Sequence, residues 1–532
     1  MHPATMGRRS FLAAAGAAGL AAAAGCGDVS GVDPRLDRVT PGASGRPSRG
    51  GVLRYGLSTD PVNFDPHVST GTASDAVRQM MYNTLLQYDA DGRIVGDLAA
   101  EHGWTSPTTY EVRLRDGVRF HDGSVLTAED VAFTYERMKD PDTTATVGPF
   151  LAELDRVDPV SRTTAVFRLS EPNAALPAIL ASVSANIVSK RWIESGVDPK
   201  THVMGTGPFR FAGRVPGVST MMERFDEYFE PGLPYLNGIQ FVPMPDDYAR
   251  VMALRSAAVD MIDYVPLTHV DAIRRNPRLR LYADATIGFG YIAFINDRPP
   301  FDDVRVRKAI GYALDRTEML RTAYLGHGSP VTGGMLPKGF PGASTDLDGT
   351  YGYDPDRTRA LLRQAGVGHL AVDMLATSTY SVHSRPAEAA LPSLRRAGID
   401  AGLTRLEWPS YLAVQMAHKY AVRYGGGNLL YGDPDALRNF VGSNGTYAQY
   451  MNFSDDRVDA LLAAGRRARD PGKRAEIYHD LEKRVLDRAP WTYTLKRDQA
   501  EAARTNVRGY AHPPTGTWTS VALRRTWLEE RT

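Results

Sequence analysis

The sequence is poor in cysteine, since Cys26 is the only one among 532 residues. A single cysteine cannot form an intramolecular disulfide, and CxxC redox sites and zinc sites built from several thiolates are excluded as well. Its neighbours are small alanines and glycines, which do not build the packed surroundings of a catalytic thiol. We therefore expect a different use of Cys26.

Catalytic and metal-binding patterns are also missing. The nearest two histidines are His369 and His383, too far apart for a metal pair on one helix, and no serine lies in a Gly-x-Ser-x-Gly string. The glycines of 205–210 and 425–427 lack the Lys-Ser/Thr that follows a phosphate loop, and we interpret both strings as tight turns. We expect no catalytic residue, no metal ligand and no cofactor, so the protein is predicted not to be an enzyme.

Charge of one sign is not in excess. Lys and Arg number 62 and Asp and Glu number 61, a net charge of +1, which argues against a nucleic-acid partner. Two carboxylate pairs for acid–base chemistry could form, one from Asp433 and Asp435 and the other from Asp455 and Asp456. We favour the alternative that they are surface residues of turns and helix N-termini.

The N-terminus has the pattern of an export signal. Arg8 and Arg9 precede an apolar run, Phe11–Ala24, that is shorter than the roughly 20 residues of a membrane-spanning helix. The string GRRSFL resembles a twin-arginine signal. AAGC resembles a lipobox, although Ala23 stands where leucine is preferred, so residues 1–25 are predicted to be a signal peptide. Cys26 is then the predicted lipidation site, with ordinary signal cleavage as the alternative.

The next segment is a predicted tether. Residues 26–49 are rich in glycine, proline and serine and have no hydrophobic periodicity. Acyl chains on Cys26 would hold the protein at the outer face of the cell membrane without a spanning helix. No later stretch has the 18 or so continuous apolar residues of a transmembrane helix. We expect an extracytoplasmic, lipid-anchored protein.

The remaining chain alternates strand and helix patterns. Alternation predicts strands at 51–57 and 110–115, and Val77, Met81, Leu85 and Tyr88 recur at helical spacing up to a DADG stop. Further helices are predicted after the N-cap Thr127, in the string DDVRVRKAIGYALDR with the apolar face Val306, Ile310, Ala313 and Leu314, and near 357–365, 386–397, 455–468 and 473–488. The fold class is therefore α/β.

Five longer strings carry a family resemblance. In chain order they resemble motifs of the bacterial extracytoplasmic solute-binding proteins of family 5, the peptide and nickel type that serves ABC importers. The resemblance runs from about residue 50 to the C-terminus. The strings are NFDPH (63–67), LRDGVRFHDGSVLTAEDVAFTYERM (114–138), MGTGPF (204–209), FINDRPPFDDVRVRKAIGYALDR (294–316) and YDPDRTRALLRQAG (353–366).

The resemblance implies a two-lobed clamshell of the large peptide-binding type. The first lobe would comprise 50–288 and the returning tail 497–532, with an extra subdomain at 90–195, and the second lobe 289–496. Ligand would bind between the lobes, and closure would be detected by an ABC permease and its ATPase. The protein is expected to act as a monomer.

Correspondence with peptide-binding members implies which residues contact the ligand. The first lobe would contribute Thr70, Gly71 and Thr72. The second would contribute Trp408, for which core packing is the alternative, and two glycines, for which a bend of the fold is the alternative. The full set from the second lobe is Trp408, Gly426, Gly427, Asn428, Leu430 and Tyr431.

One departure from the family pattern concerns the ligand. Peptide-binding members place an acid where this chain has Leu430, and that acid pairs with the ligand's α-amino group. Leucine cannot make this charge-assisted bond, and Gly427 replaces a common tryptophan, which widens the cleft. We expect a bulky, partly apolar ligand. An oligopeptide is one alternative, and a blocked or cyclic peptide, glycoside, siderophore or metal chelate is the other.

Two further functions stay open at this point. A secreted hydrolase on a similar scaffold is disfavoured by the missing nucleophile and metal patterns. A surface sensor that signals to a membrane partner would use the same clamshell as an importer, so the residues do not separate the two.

Overall fold

The structure is a computed structural model that describes residues 46–68, 71–89, 92–285, 288–510 and 523–529. Along these residues, strands are numbered β1 to β21 and helices α1 to α15. The predicted signal peptide, the lipidation site Cys26 and the ligand contact Thr70 lie outside the described residues, as does most of the predicted tether.

The largest sheet is mixed, with the order β12-β19-β11-β1-β10-β9-β8 and β14 paired to β19. Its strand β1 alternates as predicted, with Leu53, Tyr55 and Leu57 buried. β1 runs parallel to β10 and β11, and β19 returns antiparallel to β12. The strands are β1 (Val52–Leu57), β8 (Phe209–Val215), β9 (Ser219–Arg224), β10 (Gly238–Pro243), β11 (Met261–Ile262), β12 (Leu279–Ala285), β14 (Gly328–Pro330) and β19 (Leu495–Arg504).

A second sheet has the order β16-β15-β17-β13-β18. Its strand β13 is buried along its whole length, as expected for a strand covered on both faces. The strands are β13 (Gly288–Phe294), β15 (Leu370–Thr377), β16 (Ile399–Leu406), β17 (Val422–Asn428) and β18 (Trp491–Tyr493). The chain passes between the two large sheets from β12 to β13, to and from β14, and again from β18 to β19.

A third sheet is antiparallel, with the order β4-β5-β7-β6, and two short antiparallel pairs complete the described strands. The predicted strand at 110–115 is confirmed as β5. The strands are β4 (Ala99–Ser106), β5 (Thr109–Leu114), β6 (Leu154–Pro159) and β7 (Thr164–Leu169), with the pairs β2 (Leu86–Tyr88) and β3 (Ile94–Gly96), and β20 (Val507–Arg508) and β21 (Trp527–Leu528).

Helices cover the sheets. They are α1 (Thr72–Met81), α2 (Ala128–Lys139), α3 (Leu176–Leu180), α4 (Lys190–Glu194), α5 (Asp247–Arg255), α6 (Val270–Arg274), α7 (Val304–Ala313), α8 (Arg316–Ala323), α9 (Pro355–Gln364), α10 (Ser381–Arg396), α11 (Trp408–Met416), α12 (Arg438–Val441), α13 (Thr446–Tyr450), α14 (Asp456–Arg467) and α15 (Pro471–Arg488). Among the described residues, no helix has the length and apolar character needed to cross a bilayer.

Helix starts follow the capping residues. Thr127 caps α2, and its backbone amide donates to the Asp130 carboxylate at 2.9 Å in a capping box. Aspartate side chains accept backbone N–H bonds at the starts of α5, α7, α8, α9, α14 and α15. The helices predicted after Thr127 and near 357–365, 455–468 and 473–488 are therefore confirmed. The one predicted near 386–397 begins earlier, at Ser381, and contains Pro386 and Pro392.

The predicted helix through Tyr88 is wrong beyond Met81. The chain leaves α1 at Tyr82 and forms β2 from Leu86. Another backbone segment occupies the space next to the end of α1, since the amide of Gly207 donates to the Met81 carbonyl at 2.9 Å. A β-carbon on Gly207 would lie 2.4 Å from the Met81 carbonyl carbon. This tertiary contact ends the helix although the helical spacing continues.

Candidate ligand-binding cleft

Tyr264 is held rigidly at the end of β11. Its φ of +42° is unusual for a non-glycine residue, and buried Arg250 donates to its carbonyl at 2.9 Å. Its hydroxyl lies 3.0 Å from the Thr72 hydroxyl at the start of α1. One hydrogen bond therefore holds the Tyr264 backbone and another holds its hydroxyl, and Thr72 takes part as a predicted site residue. Gly71, the N-cap of α1, is exposed beside it with φ of +126°.

Arg497 lies over the Tyr264 ring. The central carbon of its guanidinium is 5.0 Å from the ring centroid, and an Nη atom donates to the Gln499 side chain at 3.3 Å. Arg497 is half-buried on β19, near the point where the chain enters the first sheet. The contact is a cation–π interaction, which holds the guanidinium in one orientation.

Three aromatic side chains, those of Tyr380, Trp408 and Tyr411, form an aromatic wall beside the second sheet. The ring of Trp408 stacks on Tyr411 at 5.4 Å between centroids and meets the edge of Tyr380 at 5.2 Å. The Trp408 amide donates to the Thr379 hydroxyl at 2.9 Å, which fixes the start of α11. Burial, and then the nearby Tyr264 phenol, raise the pKa of Tyr380. The Tyr264 phenol therefore lies near the Tyr380 side of the aromatic wall.

His383 lies beside this wall, in the first turn of α10. Its ring is 6.1 Å from Tyr380 and 6.4 Å from Tyr424, centroid to centroid. Burial, and then the positive charges of Arg497 and Arg423, lower the pKa of His383 to about 4. His383 is therefore neutral at physiological pH and contributes no charge to the cleft.

Arg423 is a second, deeper cation. Its side chain is 1 % exposed and donates to three tyrosine hydroxyls, those of Tyr420, Tyr411 and Tyr291, at 3.1 to 3.3 Å. Among the described residues, no carboxylate lies within ion-pair distance of it. Its charge is therefore stabilised by neutral hydroxyls and stays electrostatically uncompensated.

The triple glycine is a strand, so the predicted tight turn at 425–427 is wrong. These residues lie within β17 and pair with β13. A β-carbon on Gly426 would be 2.4 Å from Cε1 of His383, and one on Gly427 would be 2.5 Å from Cε1 of Phe440. The glycines let two rings pack directly against the strand. Whether they also approach a ligand stays a prediction.

The remaining predicted contacts lie further along the chain from β17. Asn428 is exposed at the strand end, and Leu430 is half-buried, with its carbonyl accepting from the Ser182 hydroxyl at 3.1 Å. Tyr431 is fully buried and its hydroxyl donates to Asp435 at 3.1 Å. Thr72 therefore contacts Tyr264, Gly426 lies against His383, and Trp408 contacts Tyr380. Leu430 and Tyr431 instead contact Ser182 and Phe150. Their ligand contacts stay a prediction.

The acids after Tyr431 are not on the surface, contrary to expectation. Asp433 is 7 % exposed and forms two hydrogen bonds of 2.7 Å with Arg474. Asp435 has no exposed surface and pairs with Arg466 and Arg438 at 3.2 and 3.4 Å. Arginines from three helices compensate these charges, which is the condition for burying a carboxylate.

A surface depression of about 390 Å³ lies apart from this cleft, at the starts of α2 and α4. Its lining includes both acids and bases, and Asp130 there is already engaged by the capping box and by the Lys190 amide at 2.9 Å. Whether the ligand binds between the large sheets stays a prediction.

Four cleft residues were missed from the sequence: Tyr264, Tyr380, His383 and Arg497. Tyr264 and Tyr380 follow strands β11 and β15, and polar or aromatic residues after strands of an α/β sheet are a usable signal. Arg497 carries no local signal, because only the return of β19 into the first sheet brings it to Tyr264.

Comparisons with known proteins agree with this architecture. The family model described as bacterial extracellular solute-binding proteins, family 5 Middle, matches residues 93–449. The glutathione-binding protein GsiB of Pectobacterium atrosepticum is 26 % identical over 465 residues, covering 84 % of this chain and 89 % of that protein.

Several solved structures are also similar to this chain. The periplasmic binding protein AgaA of A. tumefaciens R10, in complex with agropinic acid, is 30 % identical with a TM-score of 0.83, covering 91 % of this chain and 99 % of that one. DppA of Helicobacter pylori, in complex with the peptide STSA, is 22 % identical with a TM-score of 0.81, covering 91 % and 99 %. The two-lobed fold of the peptide-binding type is confirmed. This chain therefore belongs to the bacterial extracellular solute-binding proteins of family 5, and it is a substrate-binding protein of the ABC-importer type.

Proposed function

We propose that this protein captures a small ligand between two lobes outside the cytoplasm and delivers it to an ABC permease and ATPase. The first lobe comprises 50–288 and the tail from 497, with the subdomain 90–195, and the second comprises 289–496. Lipidated Cys26 and the tether 26–49 keep the monomer at the membrane. The protein releases its ligand chemically unchanged.

The observation that carries this proposal is a pair of surfaces from the two large sheets that lie near each other. Tyr264 and Arg497 come from the first sheet, and Tyr380 and Trp408 come from the second. A ligand that touches both surfaces stabilises the closed arrangement by its differential affinity for it. Aromatic faces with a few placed polar groups are typical of small-molecule sites.

The ligand is peptide-like in size, and Leu430 favours one without a required α-amino contact. Leucine at this position would leave a buried ammonium without a partner. The relatives support both alternatives of the sequence analysis, since GsiB is named for glutathione and AgaA was solved with agropinic acid. We therefore keep a blocked peptide and a non-peptide conjugate as alternatives to an oligopeptide ligand.

Ligand screening with a structural readout tests the proposal. Thermal unfolding is followed with tri- and tetrapeptides, their N-acetyl forms, glutathione, sugar conjugates and metal chelates. A ligand at 100 times its Kd adds about 2.7 kcal/mol to stability. The same ligand should reduce the radius of gyration in X-ray scattering and be recovered intact. A compound that is converted instead of bound would show an enzyme.

Membrane attachment is tested separately. Cells that express the full chain are labelled with a palmitate analogue, and the Cys26→Ser variant is the control. We expect label on the wild type alone. Label-free wild-type protein in the medium would show ordinary signal cleavage in place of lipidation.

A further inference from the structure

We infer that the subdomain 90–195 holds the closed protein together, and that Glu153 is the positioning residue through which it does so. This inference rests on the proposed function and adds a part of the closing mechanism that lies outside the ligand site. It depends on the contacts between the subdomain and the second lobe, on the charges that meet there, and on which of these charges stay together when the lobes separate.

The subdomain packs directly against the second lobe. The amide of Ala174 donates to the Arg466 carbonyl at 2.7 Å. Buried apolar residues of both parts form one continuous cluster, which includes Leu151 from the subdomain and Leu437 from the second lobe. The two parts therefore share an apolar interface in this arrangement.

Glu153 lies in the polar part of this interface. Its Oε1 atom is 3.2 Å from a guanidinium nitrogen of Arg438 and 3.2 Å from one of Arg466. Its Oε2 atom accepts from the Asn173 side chain at 3.0 Å. The Arg438 guanidinium also lies over the Phe150 ring, 4.7 Å from the ring centroid. One carboxylate of the subdomain therefore binds two cations of the second lobe, and Asn173 orients it.

The two arginines share a second acid, Asp435, which belongs to their own lobe. Asp435 is fully buried and lies 3.2 Å from Arg466 and 3.4 Å from Arg438. Asp435 alone leaves one positive charge in excess, and Glu153 makes the group neutral. We call these four residues, Glu153, Arg438, Arg466 and Asp435, the Glu153 cluster.

Separation of the lobes would divide the Glu153 cluster. Asp435 stays with the two arginines, whereas Glu153 leaves with the subdomain and becomes hydrated. In the closed arrangement Arg438 and Arg466 are only 14 % and 19 % exposed, so water solvates them poorly and Glu153 must compensate the second charge. The contact of Glu153 therefore stabilises the closed arrangement and not the open one.

Glu153 acts without touching the predicted cleft. Its partners are the residues named above, whereas the cleft is built around Tyr264 and Trp408. A residue that stabilises only the closed arrangement slows the dissociation of every ligand by the same factor, because none of its contacts depends on the chemistry of the ligand. This uniform effect separates Glu153 from a residue that binds the ligand.

The first test needs no ligand. Spin labels are attached at the exposed positions Val160→Cys and Arg363→Cys in the Cys26→Ser full chain, which has no other cysteine. Distance distributions then report closed and open protein, and we expect the labelled parent to populate both. Glu153→Gln, which keeps an acceptor for Asn173, should lower the closed-to-open ratio about tenfold. Identical distributions for Glu153→Gln and the labelled parent overturn the inference.

Glu171→Gln is the matched control. Glu171 lies in the same subdomain and pairs with Arg467, but the two side chains are 52 % and 56 % exposed. Exposed ion pairs contribute little, so the closed-to-open ratio should change by less than about twofold. A change as large as that of Glu153→Gln would overturn the assignment to Glu153. Urea unfolding should show a full cooperative transition for both variants, which separates opening of the lobes from a loss of folding.

The second test is kinetic and uses glutathione and N-acetyl-trialanine as ligands. We expect Glu153→Gln to raise koff about tenfold for both ligands and to change kon by less than about twofold. An unchanged koff overturns the inference, and so does a factor that differs between the two ligands. Absence of any binding and of compaction in the wild type would instead count against the proposed function, while the distance distributions still decide the role of Glu153.

Discussion

The hydroxyl of Tyr88 accepts a 2.9 Å hydrogen bond from the backbone amide of Gly432. Nearby, the rings of Phe150 and Tyr431 meet edge to face at 5.2 Å, and Glu153 lies 3.2 Å from Arg438. These contacts join residues close to the four-stranded sheet with residues that follow β17. They form a second meeting surface, away from Tyr264 and Trp408, which we expect to assemble when the lobes close.

Removing the Tyr88 hydroxyl should weaken ligand binding without contact to the ligand. In Tyr88→Phe the Gly432 amide loses its partner in the closed arrangement, a loss of about 1 kcal/mol, or roughly fivefold in affinity. Calorimetry with any ligand found by screening measures the change. Tyr353→Phe, in an exposed tyrosine, is the control. Equal affinity in both variants would show that the surface is present in the open protein as well.

Adding a methyl group at Gly427 should cost stability. The new β-carbon would be 2.5 Å from the buried Phe440 ring, which stacks on Tyr447 at 4.5 Å. Overpacking of this kind costs about 1 to 3 kcal/mol, measured by urea unfolding of Gly427→Ala. Gly103→Ala, where no atom lies within 4 Å of the new carbon, should change stability little. An unaffected Gly427→Ala would mean that Phe440 can move freely.

The fluorescence of Trp408 should change when the ligand binds. Its ring is partly exposed at the wall with Tyr380, so ligand stacking should change its fluorescence. Trp408→Phe should lose the signal and keep most of the affinity, whereas Trp408→Ala should bind several-fold more weakly, by about 0.5 to 1.5 kcal/mol. Trp192→Phe should keep the full signal. A signal that persists in Trp408→Phe would assign it to another tryptophan and place the ligand elsewhere.

The pH dependence of stability should be traceable to Glu482. Burial raises the pKa of this carboxyl to about 7, although it accepts amide bonds from Met335 and Leu336 at 2.7 and 3.0 Å. The folded protein therefore binds more protons than the unfolded chain between about pH 4.5 and pH 7, and this contribution to stability is lost as the pH rises through that range.

Glu482→Gln keeps the acceptor oxygen and removes the charge. As the pH rises from 4.5 to 7.5, its free energy of unfolding should increase by on the order of 2 to 3 kcal/mol relative to that of the wild type. Urea unfolding at several pH values measures the difference. Glu476→Gln, an exposed residue on the same helix, should follow the wild-type profile. Parallel profiles for Glu482→Gln and the wild type would contradict the raised pKa.

Local chemistry predicted much of the fold but less of the cleft. Capping residues such as Thr127 located several helices because they act within one turn. The end of α1 was missed because it depends on Gly207, more than a hundred residues away. Trp408 and Thr72 came from family resemblance, whereas Arg497 meets Tyr264 only through the pairing of β19 with β11 and β12.

The short connection between β18 and β19 should limit how the lobes move. β19 begins two residues after the last residue of β18, so we expect Arg497 to lie near the hinge and to move little when the lobes close. The side of the cleft that carries Trp408 should then move toward Tyr264 on closure. Loss of Trp408 should therefore chiefly hasten dissociation of the ligand.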